Sequence, residues 1–228
     1  FTMQTQKDLV SMHPRHGIMN IDVLSFARLA YRVFEETGTK QMQVLDDEGK
    51  NLILRKIAGD YENKLTVLKG NIKKLGYISE VKSVISEFTQ YDIGEEEMDE
   101  MLDHLDEDSR LYYKLKDIRL LYEGFQDYLR ERYITKEELL DVLNSQVKES
   151  ELLKNSVVVL DGFTGFTPVQ NRLIGELLKV CDKIMLTVEL DRREDPFVYK
   201  HPYQLFALSK QMVTSLTEVA QEVRVEID

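Results

Sequence analysis

The sequence predicts an α/β domain with a parallel sheet, interrupted by an all-helical insertion. Three observations carry this. First, Asn155 to Gln170 reads NSVVVLDGFTGFTPVQ: four short, β-branched and apolar residues, Val157 to Leu160, suit a parallel strand buried on both faces. An acid, Asp161, follows at the strand's carboxyl end, and Gly162 and Gly165 lead to Thr167-Pro168, a capping hydroxyl with proline at the first helical position. Second, strand-like runs disappear between about Lys40 and Ser150, where apolar spacing is helical throughout. Third, strands and helices alternate again after Ser150, which implies a parallel sheet with right-handed crossovers.

In chain order, Thr5 to Met12 forms a short helix ended by Pro14, and Ile21 to Leu24 reads as a strand leading to the N-cap residue Ser25. Phe26, Leu29, Ala30, Val33 and Phe34 then make the clearest helical stripe in the chain, with Gly38 placed to end it. Arg28, Tyr31 and Arg32 lie off that stripe, as a solvated face or a binding face; spacing alone leaves both readings open.

Within the helical segment, Leu45, Leu52, Ile53 and Ile57 predict one helix. Tyr61, Leu65, Leu68, Ile72 and Leu75 predict a second, and Ile78, Val81, Ile85 and Phe88 a third. Met98, Met101, Leu102 and Leu105 give the acidic stretch one buried face. Leu111 to Leu129 is a long helix capped by Asp108, and Thr135 with Glu138 forms a capping box for the next. After the Val157 strand come a helix on Leu173, Ile174, Leu177 and Leu178, and a strand from Ile184 to Leu190. A helix from about Pro202 to Gln221 and a strand from Val223 to Ile227 follow. The reading is therefore one α/β domain from residues 1–39 and 151–228, with residues 40–150 as the inserted helical subdomain.

The 228 residues, 43% hydrophobic, are enough to bury a sizeable core. No apolar run approaches the ~20 residues that a membrane-spanning helix needs, and no signal peptide is evident, so a cytoplasmic, membrane-free protein is expected. The net charge of −11 argues against nucleic acid only until its distribution is seen. Ten acids and no Lys or Arg fall between Asp92 and Asp108, and the rest of the chain sets 31 acids against 30 bases, so a local basic groove remains available. The acidic stretch is not an EF-hand, because DHLDED lacks the required glycine and closing glutamate. The single Cys181 excludes an internal disulfide and a cysteine-held metal cluster. His13 and His16 have no evident third ligand partner. P-loop, GxGxxG, HExxH and GxSxG motifs are absent. With Phe1 in place of Met and an end just after VRVEI, the chain reads as a piece of a longer protein.

Asp161 and the FTGF loop sit where open α/β sheets collect ligands, at the strand's carboxyl end, although an Asp there also serves simply as a turn former. At this point three segments resemble a known family: FTMQTQKDL at the start, NIDVLSFARLAYRVF at 20–34 and VVVLDGFTGFTPVQ at 157–170. Their order, their separation and the helical region between them are similar to the B subunit of the bacterial AddAB helicase-nuclease. The combination of LSFxRLAxRV with DGFxxFTP is specific, and the resemblance covers nearly the whole chain.

The resemblance implies a superfamily 1 helicase-like, P-loop-NTPase-type fold that has lost motor activity. The partner subunit AddA would drive translocation with ATP, and the pair would resect double-strand breaks for homologous recombination. The helicase-like part would read the Chi sequence in the passing single strand. A Mg²⁺-dependent nuclease domain with an iron-sulfur cluster, and the amino-terminal P-loop, would lie outside this chain, leaving it without cofactor and inactive by itself. In active relatives the strand-end acid holds Mg²⁺ and the next residue is a Glu that activates water. Here that residue is Gly162, which cannot accept a proton. Asp161 is thus at most a degenerate nucleotide or Mg²⁺ contact. For DNA, the resemblance points to Thr2, Ser25, Arg28, Tyr31, Phe163, Phe166 and Thr167 as contacts to single-stranded DNA, though the two phenylalanines also suit a plug beneath the loop. The competing expectations are an independent nucleotide hydrolase, disfavoured by the missing P-loop and Gly162, and a protein-interaction scaffold without direct DNA binding.

Overall fold

The computed structural model describes residues 2–39, 43–72, 74–130 and 132–227. Phe1, Lys40 at the expected start of the insertion, and the side chain of Leu75 in the second predicted stripe lie outside the described residues. Among the described residues the chain is mixed α/β and mostly helical, with two small parallel sheets.

Helix α1 (Thr2–Met12) contains no buried residue. Residues 21–24 follow as irregular chain rather than a strand: Ile21 is half exposed, and no described strand pairs with the segment, which serves as the extended approach to the Ser25 cap. Helix α2 (Phe26–Thr37) buries Ala30, Val33 and Phe34 as the stripe predicts and ends on Gly38 in the left-handed region, whose N–H donates to the Phe34 carbonyl.

The helical segment hangs on a parallel neck. Strand β1 (Gln43–Val44) pairs with β2 (Tyr133–Ile134), and the Leu45 N–H donates to the Ile134 carbonyl at 2.8 Å. The entering and leaving chains thus run side by side in the same direction. Between them, α3 (Asp47–Asp60), α4 (Leu75–Gln90), α5 (Glu95–Asp103) and α6 (Arg110–Leu129) enclose one apolar core built on Leu54, Ile57, Ile78, Val81, Ile85, Met98, Leu121 and Phe125. Helices α3 and α6 approach so closely that a Cβ on Gly124 would stand 2.7 Å from the Tyr61 ring. Leu52, assigned to the α3 stripe, is instead largely exposed, and α6 is capped by Ser109, one residue after the expected Asp108.

The second predicted helix of this region does not form. Residues 61–72 make a chain of turns that still buries Leu65, Leu68 and Ile72. The reason is Asp117 of α6, only 2% exposed, whose carboxylate accepts from the backbone N–H groups of Thr66, Val67 and Leu68 at 2.7 to 3.1 Å. A buried carboxylate satisfied by three backbone donors holds the chain out of a helical ladder while keeping the three-and-four spacing of its leucines.

A second core joins α2 to α7 (Leu139–Gln146) and α8 (Pro168–Leu178) through Ala30, Val33, Phe34, Leu139, Leu143, Leu173 and Leu177. The Thr135–Glu138 box closes as expected: Glu138 accepts from the Thr135 N–H at 2.7 Å, and the Thr135 hydroxyl accepts from the Glu138 N–H at 3.3 Å. At the seam between the cores lies a buried ion pair. Lys50 of α3, 2% exposed, donates to both oxygens of Glu137 at 2.6 and 2.9 Å and to the Ser86 hydroxyl at 3.3 Å.

Strand β3 (Val157–Leu160) pairs in parallel with β4 (Lys183–Leu186), Val157 opposite Lys183 and Leu160 opposite Leu186, with α8 between them in the chain. Two expectations are corrected. The sheet is covered on one face only: Val157, Val159 and Met185 stand exposed on the other. The second strand stops at Leu186 rather than Leu190, because its neighbour ends at Leu160 and turns away through Gly162 at φ +76°. Helix α9 (Ala207–Glu222) closes with Arg224 in the left-handed region and the Val225 N–H on the Ala220 carbonyl, a helix-ending turn in place of the expected last strand. Among the described residues no helix is long and apolar enough to cross a membrane.

Candidate nucleic-acid interface

Two elements made far apart in sequence meet at the carboxyl end of β3. The loop that leaves this strand carries Phe163 and Phe166, whose ring centroids are 4.8 Å apart, and the first residue of α2, Phe26, packs on both at 5.6 and 6.5 Å. The rings are tilted or edge-on, the arrangements that aromatic quadrupoles favour. All three are half-buried, so the cluster both seals the loop and shows ring surface to solvent.

Through Phe26 the cluster brings the Ser25 cap beside the loop of Phe163, Phe166 and Thr167, whereas Arg28 and Tyr31 stand on the other face of α2. Ser25 caps α2 through a long bond from the Arg28 N–H at 3.4 Å. Thr167, just before Pro168, caps α8: its hydroxyl accepts from the Gln170 N–H at 3.4 Å, and its own N–H donates to the Gln170 side chain at 2.9 Å. Two helix starts, each with backbone N–H groups and a positive dipole end, therefore border the same aromatic patch. Arg28 and Tyr31 lie one turn into α2 on the face opposite Ala30, Val33 and Phe34, and both are exposed.

The cations on α2 and α8 differ in how they are spent. Arg32 pairs with Asp22 at 3.2 Å. Arg172 of α8 bridges Asp92 and Asp141; burial pulls its guanidinium pKa down, but the hydrogen bonds to the two carboxylates outweigh that and raise it. Arg28, by contrast, has no ion pair among the described residues.

Asp161 is exposed and accepts from the Thr187 hydroxyl at 2.6 Å, and the same hydroxyl oxygen accepts from the Gly162 N–H at 3.4 Å. Thr187 thus ties the ends of the two strands together. One carboxylate and one hydroxyl give a Mg²⁺ ion two oxygens of the six it wants, so these residues do not by themselves form a cation site. No group of three or more metal-ligating side chains occurs among the described residues. Cys181 is half-buried on the far side of the sheet start, with the Ser156 hydroxyl 3.5 Å from its sulfur; burial pushes its thiol pKa up, away from reactivity.

Thr2 stands apart from this constellation. It opens α1, a helix that buries no residue and adds no ring to the aromatic cluster. Phe26 and Thr187 are the members that sequence reasoning missed. Phe26 fits the α2 core stripe by spacing, and only its place in the first turn, directly after the cap, hinted at contact with a loop rather than with the core.

The whole chain, residues 1–228, matches the family described as ADDB, N-terminal. It is 42% identical over 227 residues to the B subunit of the ATP-dependent helicase/deoxyribonuclease of Lachnoclostridium phytofermentans, covering 100% of this chain and 20% of that protein. The corresponding B subunit of Alkaliphilus oremlandii is 32% identical over 226 residues, covering 99% and 19%, and that of Clostridium kluyveri 36% identical over 191 residues, covering 84% and 16%. The chain spans about one fifth of the length of the first two curated relatives. It belongs to the AddB N-terminal family.

Proposed function

We propose that this chain is the helicase-like, non-motor part of the B subunit of a heterodimeric ATP-dependent helicase/exonuclease, and that it holds single-stranded DNA across the start of α2 and the FTGF loop. The observation that supports the reading is the aromatic cluster of Phe26, Phe163 and Phe166 between two helix starts, with exposed Tyr31 and an Arg28 that has no ion pair among the described residues on the first two turns of α2. A single strand needs ring faces for its bases and donors for its phosphates, and this patch offers both. In the whole protein the patch would scan the strand for Chi while AddA translocates on double- and single-stranded DNA, in the resection of double-strand breaks for recombination.

The finer fold belongs to the same proposal. A superfamily 1 helicase-like sheet has more parallel strands than two, and parallel strands are normally covered on both faces. The open face of Val157, Val159 and Met185 is what such a sheet leaves when its remaining strands and helices come from elsewhere in the polypeptide. In this reading residues 1–39 and 151–228 form the α/β domain and 40–150 the insertion. Gly162 in place of a proton acceptor supports the absence of hydrolysis here, with Asp161 at most touching a magnesium nucleotide whose phosphates sit on a P-loop supplied from outside these residues. An iron-sulfur cluster, which one cysteine cannot hold, would belong to the nuclease region.

The same open apolar face also favours a second reading, a scaffold for protein contacts that never touches DNA. Chi-dependent product formation by the reconstituted heterodimer separates the two. Arg28→Ala and Tyr31→Ala are expected to lose the Chi response while a Lys148→Ala control keeps it; a normal response from both variants overturns the DNA reading.

A further inference from the structure

The β4 strand delivers a second loop to the same edge of the sheet. It begins at Thr187, whose hydroxyl is bonded to Asp161, and runs to the start of α9. Its inner part is anchored: Glu194 pairs at 2.6 Å with Lys210, which is 5% exposed, and Asp191 pairs with Arg193 at 2.6 Å. Its outer part, Pro196 to Phe206, reads PFVYKHPYQLF. In a chain of net charge −11, no acid occurs from Pro196 through Thr217.

Aromatic rings in this tip face solvent instead of a core. Tyr203 is 81% exposed and Phe197 56%, and the His201 and Tyr203 rings lie parallel, 6° apart in plane with centroids at 5.0 Å. Among the described residues Lys200 and Arg192 have no ion pair. Exposed parallel rings with free cations, on a tip whose nearest acids, Glu194 and Asp195, are held by Lys210 and by the Phe197 N–H, match the chemistry of a single strand, whose bases stack on flat faces and whose phosphates meet cations. A purely protein-binding patch would not require planar stacking.

We infer that the 196–203 tip is a second stacking platform for single-stranded DNA, an inference that rests on the single-strand reading of the α2 face and extends it along the strand-end edge of the sheet. His201 and Tyr203 form the platform, Phe197 adds a ring face, and Lys200 a phosphate donor.

The test is photocross-linking of the intact protein to single-stranded DNA carrying 5-iododeoxyuridine, with EDTA present and cross-linked peptides mapped by mass spectrometry. Two sets of cross-links are expected, one within residues 26–31 or 163–166 and one within 197–203. His201→Ala/Tyr203→Ala is expected to lose the second set and to weaken binding of the strand five- to tenfold, while Tyr203→Phe retains both. Cross-links confined to the first set overturn the platform and leave the α2 reading standing; cross-links in neither region overturn both. Protection of Tyr203 and Leu205 from hydroxyl-radical footprinting in the intact protein before DNA is added also overturns the platform, in favour of a protein contact.

Discussion

The two cores of this molecule are finished to different degrees. The helical core between residues 45 and 129 closes on itself: its leucines and isoleucines meet from four helices, its most buried carboxylate, Asp117, has three backbone donors, and its buried cation, Lys50, has Glu137. The α/β region has a core too, but also an apolar sheet face open to solvent, an aromatic cluster half in and half out, and an arginine without an ion pair among the described residues. Open rings and unpaired cations add little to folding, whereas both are what a polyanionic, base-stacking ligand recognises. The difference separates a region whose residues serve stability from one whose exposed residues are left free for the binding proposed above.

The largest effects should come from the helical core. Phe125→Ala, at a position 1% exposed, is expected to cost about 3–5 kcal/mol of unfolding free energy in denaturant titrations; a loss below about 1 kcal/mol would show that the core is not closed. Glu137→Gln strands Lys50 without its counter-ion and is expected to cost about 3 kcal/mol at neutral pH. That cost should depend on pH in a specific way. Burial alone pushes the Glu137 carboxyl up, but the hydrogen bonds and charge of Lys50 outweigh it and hold the carboxyl below its ordinary 4.5. Its contribution is therefore complete above pH 4.5 and lost as pH falls through the lowered folded value, so the gap between wild type and Glu137→Gln should stay constant from pH 7 to about 5 and narrow below that. A gap that widens in acid would contradict the assignment.

Smaller effects belong to the caps that frame the candidate interface. Thr167→Ala should cost about 1 kcal/mol, since it removes one half of a reciprocal capping box. Ser25→Ala should cost about the same, because the side-chain bond lost, from the Arg28 or the Gln170 N–H, is 3.4 Å long in both caps. Thermal melts of the two variants beside wild type check that the two losses match.

Much of this was legible before the structure, and the misses have physical reasons. The α2 stripe, the Thr135–Glu138 box and the Thr167-Pro168 start are encoded by neighbours within four residues, so spacing reveals them. The turns at 61–72 are not local, because the donor-hungry Asp117 that shapes them is some fifty residues away. The strands expected at 21–24 and 223–227 have suitable side chains but no pairing neighbour among the described residues, and a strand is a property of a pair. At the candidate interface, Arg28 and Tyr31 were legible as residues off an apolar stripe. Phe26 was not, because an aromatic at a stripe position reads as core until the FTGF loop is seen against it.

The central claim, that the exposed face of α2 serves a ligand and not the fold, is tested most directly by measuring stability and single-strand affinity on the same preparations of the intact protein carrying Arg28→Ala/Tyr31→Ala. The account predicts unfolding free energies within about 0.5 kcal/mol of wild type, together with at least a tenfold loss of affinity for a fluorescent single-stranded oligonucleotide, as expected for one stacked base and one phosphate contact at roughly 1–3 kcal/mol for the stack alone. Wild-type affinity, or a loss of stability that matches the loss of binding, would contradict it.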